Sequence, residues 1–122
     1  MEIHGREIGF RRTVLATCEL ADISPNKDVN KFDKLLNSKE YAVQQKAAAA
    51  FIVALSKGFE MARTFDEPGY KANPLTVDEV LCLDDDTFTA LFVEALKVWT
   101  GDATLTVETE APKGKNAERD SE

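Results

Sequence analysis

Over most of its 122 positions the chain places its apolar residues in a helical rhythm, and each stretch is cut by a recognisable stop signal. The first ten residues are the exception. Met1, Ile3, Ile8 and Phe10 alternate with polar neighbours, and Gly5-Arg6 between them suits a tight turn with positive φ, which predicts a short β-hairpin. Two strands alone are marginal, so this hairpin has to lie on an apolar surface or gain a third strand. From Thr13 to Ile23 the pattern predicts a helix with Thr13 as N-cap and Pro25 as its stop. Val14, Leu15, Cys18, Ala21 and Asp22 fall at neighbouring helical positions in it, while the β-branched Thr13, Val14 and Thr17 leave strand as the alternative for its first turn.

After the turn cluster Ser24-Pro25-Asn26-Lys27, Asp28 stands where it can cap a short helix with Val29, Phe32, Leu35 and Leu36 on one face. Asn37-Ser38 breaks that helix and caps a long one, predicted from Lys39 to about Arg63. Tyr41, Ala48, Phe51, Ile52, Leu55, Phe59 and Ala62 form its apolar stripe, with Gln44, Gln45, Lys46, Lys57 and Glu60 mainly away from it. The small side chains of Ala47 to Ala50 let another helix approach closely, so this helix is expected to be the central element.

Thr64 to Pro74, with Pro68, Gly69 and Pro74, reads as the longest loop. Thr76-Val77-Asp78-Glu79 then forms a capping box ahead of Val80, Leu81 and Leu83. Asp84-Asp85-Asp86 interrupts that short helix and supplies acidic groups to the positive end of the next. There Phe88, Leu91, Phe92, Ala95, Leu96 and Trp99 repeat at helical spacing, and Gly101 follows as a C′ residue. Thr104 to Glu108 alternates and suits a terminal strand, and from Ala111 onward no large apolar residue remains. The expected fold is mainly α (α+β): a small helical domain with an N-terminal β-hairpin and, as a further option, a short C-terminal strand. Residues 1–110 are expected to form one globular domain and residues 111–122 a mobile charged tail.

Charge and composition narrow the function classes. Residues 1–30 carry a net −1, residues 31–64 +3, residues 65–110 −9 and residues 111–122 zero, within a total of −7. A basic middle followed by a strongly acidic stretch argues against general nucleic-acid binding, which needs a concentrated Lys/Arg surface. The longest apolar run, Ala47 to Leu55, spans nine residues between Lys46 and Lys57, far short of the ~20 that cross a bilayer. The N-terminus has neither a basic n-region nor an apolar h-region, so a cytosolic origin is expected. In that compartment Cys18 and Cys82, each in an apolar-patterned segment, are expected to be free, buried thiols.

Catalytic chemistry finds little to stand on. The single histidine, His4, lies beside the hairpin turn with no nucleophile placed for it by any recognised motif. Two cysteines 64 positions apart and one histidine do not make a zinc pattern. The Asp84-Asp85-Asp86 run lacks the turn glycine and the position-12 glutamate of a calcium loop, which leaves a helix cap as its reading. No glycine-rich phosphate loop occurs. No catalytic residue, cofactor or metal is therefore expected, and the function is expected to be binding. An aromatic stripe at helical spacing such as Phe88, Phe92 and Trp99 is usually core. Where the two helices share too little surface to cover each other the exposed part becomes a binding face, and the candidate partner-binding residues are part of Phe51, Leu55 and Phe59 on the long helix or of Phe88, Phe92 and Trp99 on the later one.

Three segments carry a family resemblance. The start, Met1-Glu2-Ile3-His4-Gly5-Arg6-Glu7-Ile8-Gly9-Phe10-Arg11-Arg12-Thr13-Val14, is one. Pro74-Leu75-Thr76-Val77-Asp78-Glu79-Val80-Leu81, followed by the acidic break and the aromatic helix from Phe88 to Phe92, is the second. The polar Ala111-Pro112-Lys113-Gly114-Lys115-Asn116 tail is the third. Together they cover about half of the chain, and in layout it resembles the small tail assembly chaperones of long-tailed bacteriophages and related prophages. The resemblance implies a non-enzymatic assembly factor that binds the tape measure protein, keeps it soluble and helps recruit tail-tube subunits. It implies work in the bacterial host cytoplasm and absence from the finished virion, with no nucleic-acid or membrane partner; homo-oligomerisation stays open. The competing readings are a small phage structural protein, such as a head-to-tail completion factor, and an acidic inhibitor of a basic partner, which the block from Asp66 to Glu110 keeps in view.

Overall fold

Residues 2–101 are described in a computed structural model of the chain; the expected strand at 104–108 and the tail from residue 111 lie outside them. The architecture is mainly helical with a short N-terminal hairpin, as the sequence pattern predicts. Strands β1 (Glu2–Ile3) and β2 (Arg6–Glu7) pair antiparallel, with Ile3 opposite Arg6 and Glu2 opposite Glu7. The turn is His4-Gly5, with φ of 51° and 79°, rather than the expected Gly5-Arg6. A two-residue hairpin turn of type I′ requires positive φ at both central residues, and Arg6 is taken up by pairing with Ile3. Ile3 and Ile8 are buried in the core, which provides the apolar support that so short a hairpin needs.

Helix α3 (Tyr41–Asp66) is the axis of the molecule, about 39 Å long at 1.5 Å per residue. Around it pack α1 (Val14–Ile23), α2 (Asp33–Leu36), α4 (Val77–Leu81) and α5 (Asp85–Thr100). Such enclosure explains why burial on α3 is wider than the predicted stripe. Ala47, Ala48 and Ala49 are buried where neighbours come close, and Phe51, Ile52, Ala54, Leu55, Ser56, Gly58 and Glu60 follow on nearly every side. Tyr41, placed in the stripe by the pattern, is 72% exposed at the first position of the helix.

The segment between hairpin and α1 crosses α3 closely. Arg11 N–H donates to the Leu55 carbonyl at 3.0 Å, and a Cβ at Gly58 would lie 2.6 Å from the Arg11 carbonyl oxygen. This crossing fixes the rotation of α1. Thr13 caps it by accepting from Ala16 N–H at 3.1 Å, and the face carrying Ala16, Leu20 and Ser24 turns inward. Val14 is consequently 81% exposed, and Cys18 lies on the outside. Cys82, just after α4, is exposed as well, so the cysteines are free thiols as expected but not buried ones. Between α1 and α2 the predicted single helix divides into a 3-10 turn, Val29–Lys31, capped by the Asp28 carboxylate through Asn30 N–H at 3.0 Å, and the four residues of α2.

The connection from α3 to α4 is fastened by two polar side chains one turn apart on α3. Buried Ser56 accepts from Leu75 N–H at 3.0 Å. Glu60, 5% exposed rather than turned away as the pattern suggests, accepts from the Tyr70 hydroxyl and, at 2.9 Å, from Asn73 N–H. Arg63 lies 4.2 Å over the Tyr70 ring. The Glu60 carboxylate, and then desolvation, push the Tyr70 hydroxyl above its ordinary pKa. A loop that would otherwise leave backbone groups unpaired is thus held to the helix by side-chain acceptors.

Candidate functional site

The stripe on α5 is centred on Leu91 and Ala95, both fully buried against α3. Its N-terminal end is set by strong local chemistry: Asp84 accepts from Thr87 N–H at 3.1 Å and from the Thr87 hydroxyl at 2.7 Å. Those bonds hold the Asp84 carboxyl below its ordinary pKa, the Thr87 hydroxyl contributing most. The acidic run is therefore a cap, and Gly101, with φ of 76°, closes the other end. Phe88, Phe92 and Leu96 lie on the flank of the stripe and are only partly covered.

That flank borders an open apolar groove of about 410 Å³ between α2, α3 and α5, with Leu36, Ala48, Phe88, Phe92 and Leu96 as its apolar lining. A second groove of about 330 Å³ runs on from it toward Tyr41, Leu81 and Leu83, sharing Gln45, Phe88 and Thr89 with the first. The two form one cleft along α5. The amide nitrogens on its rim are already engaged: Gln44 donates to the Leu36 carbonyl at 3.0 Å, Asn37 to the Asp33 carbonyl at 2.9 Å, and Gln45 to Gln44 Oε1 at 3.3 Å. The charged side chains of the lining are two carboxylates, Asp33 and Asp85, both exposed.

The six expected contact residues therefore separate. Phe51 is 2% exposed at the centre of a ring cluster, with Phe32, Phe92 and Trp99 centroids at 6.0, 5.7 and 5.7 Å. Phe51 and Leu55 are core, and no partner reaches them in the folded chain. Phe59 lays its ring on Gly9, where a Cβ would come within 2.5 Å of it. Trp99 is held between Phe51 and the Arg12 guanidinium, which sits 4.0 Å over the indole and donates to the Trp99 carbonyl at 2.6 Å. Phe88 and Phe92 alone among the six line the cleft. Leu36, Leu96, Thr89 and the two aspartates are among the other lining residues, none of them expected from the sequence as a contact residue; the apolar position of Leu36 on its short helix is the available signal.

A polar cluster joins the hairpin to α4. Glu79, at the third position of α4, closes the predicted capping box: Thr76 N–H donates to its Oε1 at 3.3 Å, and Thr76 Oγ1 accepts from Glu79 N–H at 3.2 Å. Its other oxygen accepts from Arg6 and lies 3.3 Å from His4 Nδ1. Partial burial opposes ionisation there, but the hydrogen bonds from His4 and Arg6 outweigh it and leave the carboxyl below its ordinary value of 4.5. His4 is thereby a partner of a helix cap, fixing the hairpin to α4. Among the described residues no group of three or more His, Cys, Asp or Glu side chains is arranged to hold a metal ion, and no helix is long and apolar enough to cross a membrane. Compared with protein-family models, curated proteins and solved structures, the chain matches none.

Proposed function

We propose that this chain is a non-enzymatic assembly chaperone of the long-tailed phage type, which binds the tape measure protein, keeps that long chain soluble and helps recruit tail-tube subunits in the host cytoplasm. The observation that carries the reading is a coincidence of position. Residues 74–92, one of the three segments that carry the resemblance, supply α4 and the first half of α5, and these border the open apolar cleft. Binding suffices as a mechanism. Covering Phe88, Phe92 and Leu96 with an apolar client segment removes area from water at roughly 25 cal/mol per Å², and the same contact hides the client's own apolar residues from other chains. A net charge of −7 keeps chaperone molecules apart while the cleft is empty.

The test is co-expression with the longest reading frame that lies just downstream in the genome, scored by solubility of that long chain and by co-purification. A soluble, co-purifying client is the expected result. A client that stays insoluble and unbound overturns the reading.

A further inference from the structure

The cleft has chemical features that select an occupant, and an inference about them rests on its proposed role as a binding surface. Its walls are the sides of helices α2, α3, α4 and α5, and the rim amide nitrogens are engaged as described. An extended peptide laid here finds no strand edge to pair with and leaves its own N–H and C=O groups unmatched. A helix brings those groups already paired. The apolar lining from Phe88 to Leu96 spans nine residues of α5, a rise of about 12 Å at 1.5 Å per residue, and the Tyr41, Leu81 and Leu83 end lengthens it. Two to three helical turns of a partner fit that length.

Charge completes the selection. Asp33 borders one part of the cleft and Asp85 the other, and no lysine or arginine is among the lining residues. Neither carboxylate has an ion-pair partner among the described residues. We infer that the cleft binds an amphipathic helical segment of a partner protein, two to three turns long, that presents an apolar stripe at i, i+4 and i+7 and a basic residue toward each end. The apolar stripe supplies contact with Phe88, Phe92 and Leu96, and the basic ends meet Asp85 and Asp33.

The probe is a helix-stapled peptide of about 11 residues, three turns, with a leucine stripe and a lysine at each end, titrated into the full-length chain and followed by amide chemical shifts. A matched peptide carries glutamate at both ends. The lysine peptide is expected to shift residues around Leu36, Phe88 and Phe92, and to bind about tenfold more tightly than the glutamate peptide at low salt, since exchanging the ends turns two attractions into two repulsions. The Asp33→Lys/Asp85→Lys variant should invert that preference. Thr89→Arg, at an exposed helical position, should abolish binding of both peptides with α5 intact. Equal binding of the two peptides, shifts located elsewhere, or no binding overturns the inference. It is likewise overturned if Thr89→Arg converts a dimer to a monomer or moves the signals of residues 102–122, because a second copy or the chain's own tail is then the occupant. A wild-type chain that co-purifies with the long client, and a Thr89→Arg chain that does so equally well, would keep the chaperone reading and remove the cleft from it. Peptide binding without client co-purification would do the reverse.

Discussion

The two halves of α3 are finished differently. Toward its C-terminus the helix buries Ser56 and Glu60, polar groups that each accept a hydrogen bond from the following loop, so that the loop lies on the helix. Toward its N-terminus it buries alanines and Phe51, and the helices that cover them leave Phe88 and Phe92 at an open cleft. Polar burial here is a structural device with its partners in place, whereas the incomplete apolar cover is the feature left without an internal use. The difference directs the search for function to the apolar half.

The largest expected effect breaks the apolar half itself. Phe51→Ala removes the ring at the centre of the Phe32, Phe92 and Trp99 cluster and should cost about 4 kcal/mol in urea unfolding, the loss typical of a large ring deleted from a packed core. A loss below about 1 kcal/mol would show that the cluster collapses onto the space and that Phe51 is not its keystone.

The polar half should yield less per substitution. Ser56→Ala strands the buried Leu75 N–H and should cost about 2 kcal/mol; Glu60→Ala, which strands Asn73 N–H and the Tyr70 hydroxyl, should cost about the same. Limited proteolysis separates these from the core variant. Cleavage within residues 67–76 should accelerate in both polar variants before global unfolding does, and an unchanged cleavage pattern would show that the loop is held by something else.

Next in size comes the pin between hairpin and α4. Glu79→Gln keeps an acceptor for Thr76 N–H but removes the charge facing Arg6, and should cost about 1 kcal/mol at neutral pH. The folded carboxyl titrates below its ordinary 4.5, so the stabilisation from its charge is complete above that value and fades as pH falls through the lower folded value. Unfolding curves of wild type and Glu79→Gln should therefore converge below about pH 4.5. A gap that persists undiminished at pH 2 would assign the loss to the cap geometry instead of the charge.

What could be read in the sequence was mostly local. The capping box at Thr76, the Asp84 cap, the Gly101 stop and the Thr13 cap depend on residues within four positions of one another, and all stand as expected. The rotation of α1 was hidden because Gly58 and Leu55, far along the chain, decide it, and Cys18 and Val14 consequently face outward. Glu60 was hidden for the same reason, its partners Tyr70 and Asn73 lying in the loop beyond the helix. For the site, periodicity could name Phe88 and Phe92 but could not separate them from Phe51 and Leu55, since a core stripe and a docking stripe share one spacing. The wall supplied by Leu36 appears only when α2 is set beside α5.

The smallest change in stability is expected from the substitution with the most to say about binding. Thr89 is exposed on α5, and arginine is the better helix former, so Thr89→Arg should leave unfolding within about 0.5 kcal/mol of wild type. Its long charged side chain nevertheless projects from the position shared by both grooves, where an apolar helix would have to lie. Thermal unfolding and peptide titration on the same sample give the two readouts. Unchanged stability with lost binding means that the half-covered flank of α5 is kept open for a partner. Loss of several kcal/mol means that Thr89 belongs to the packing and the cleft is shallower in solution than its walls imply, and the contrast between the two halves of α3 would then be one of composition alone.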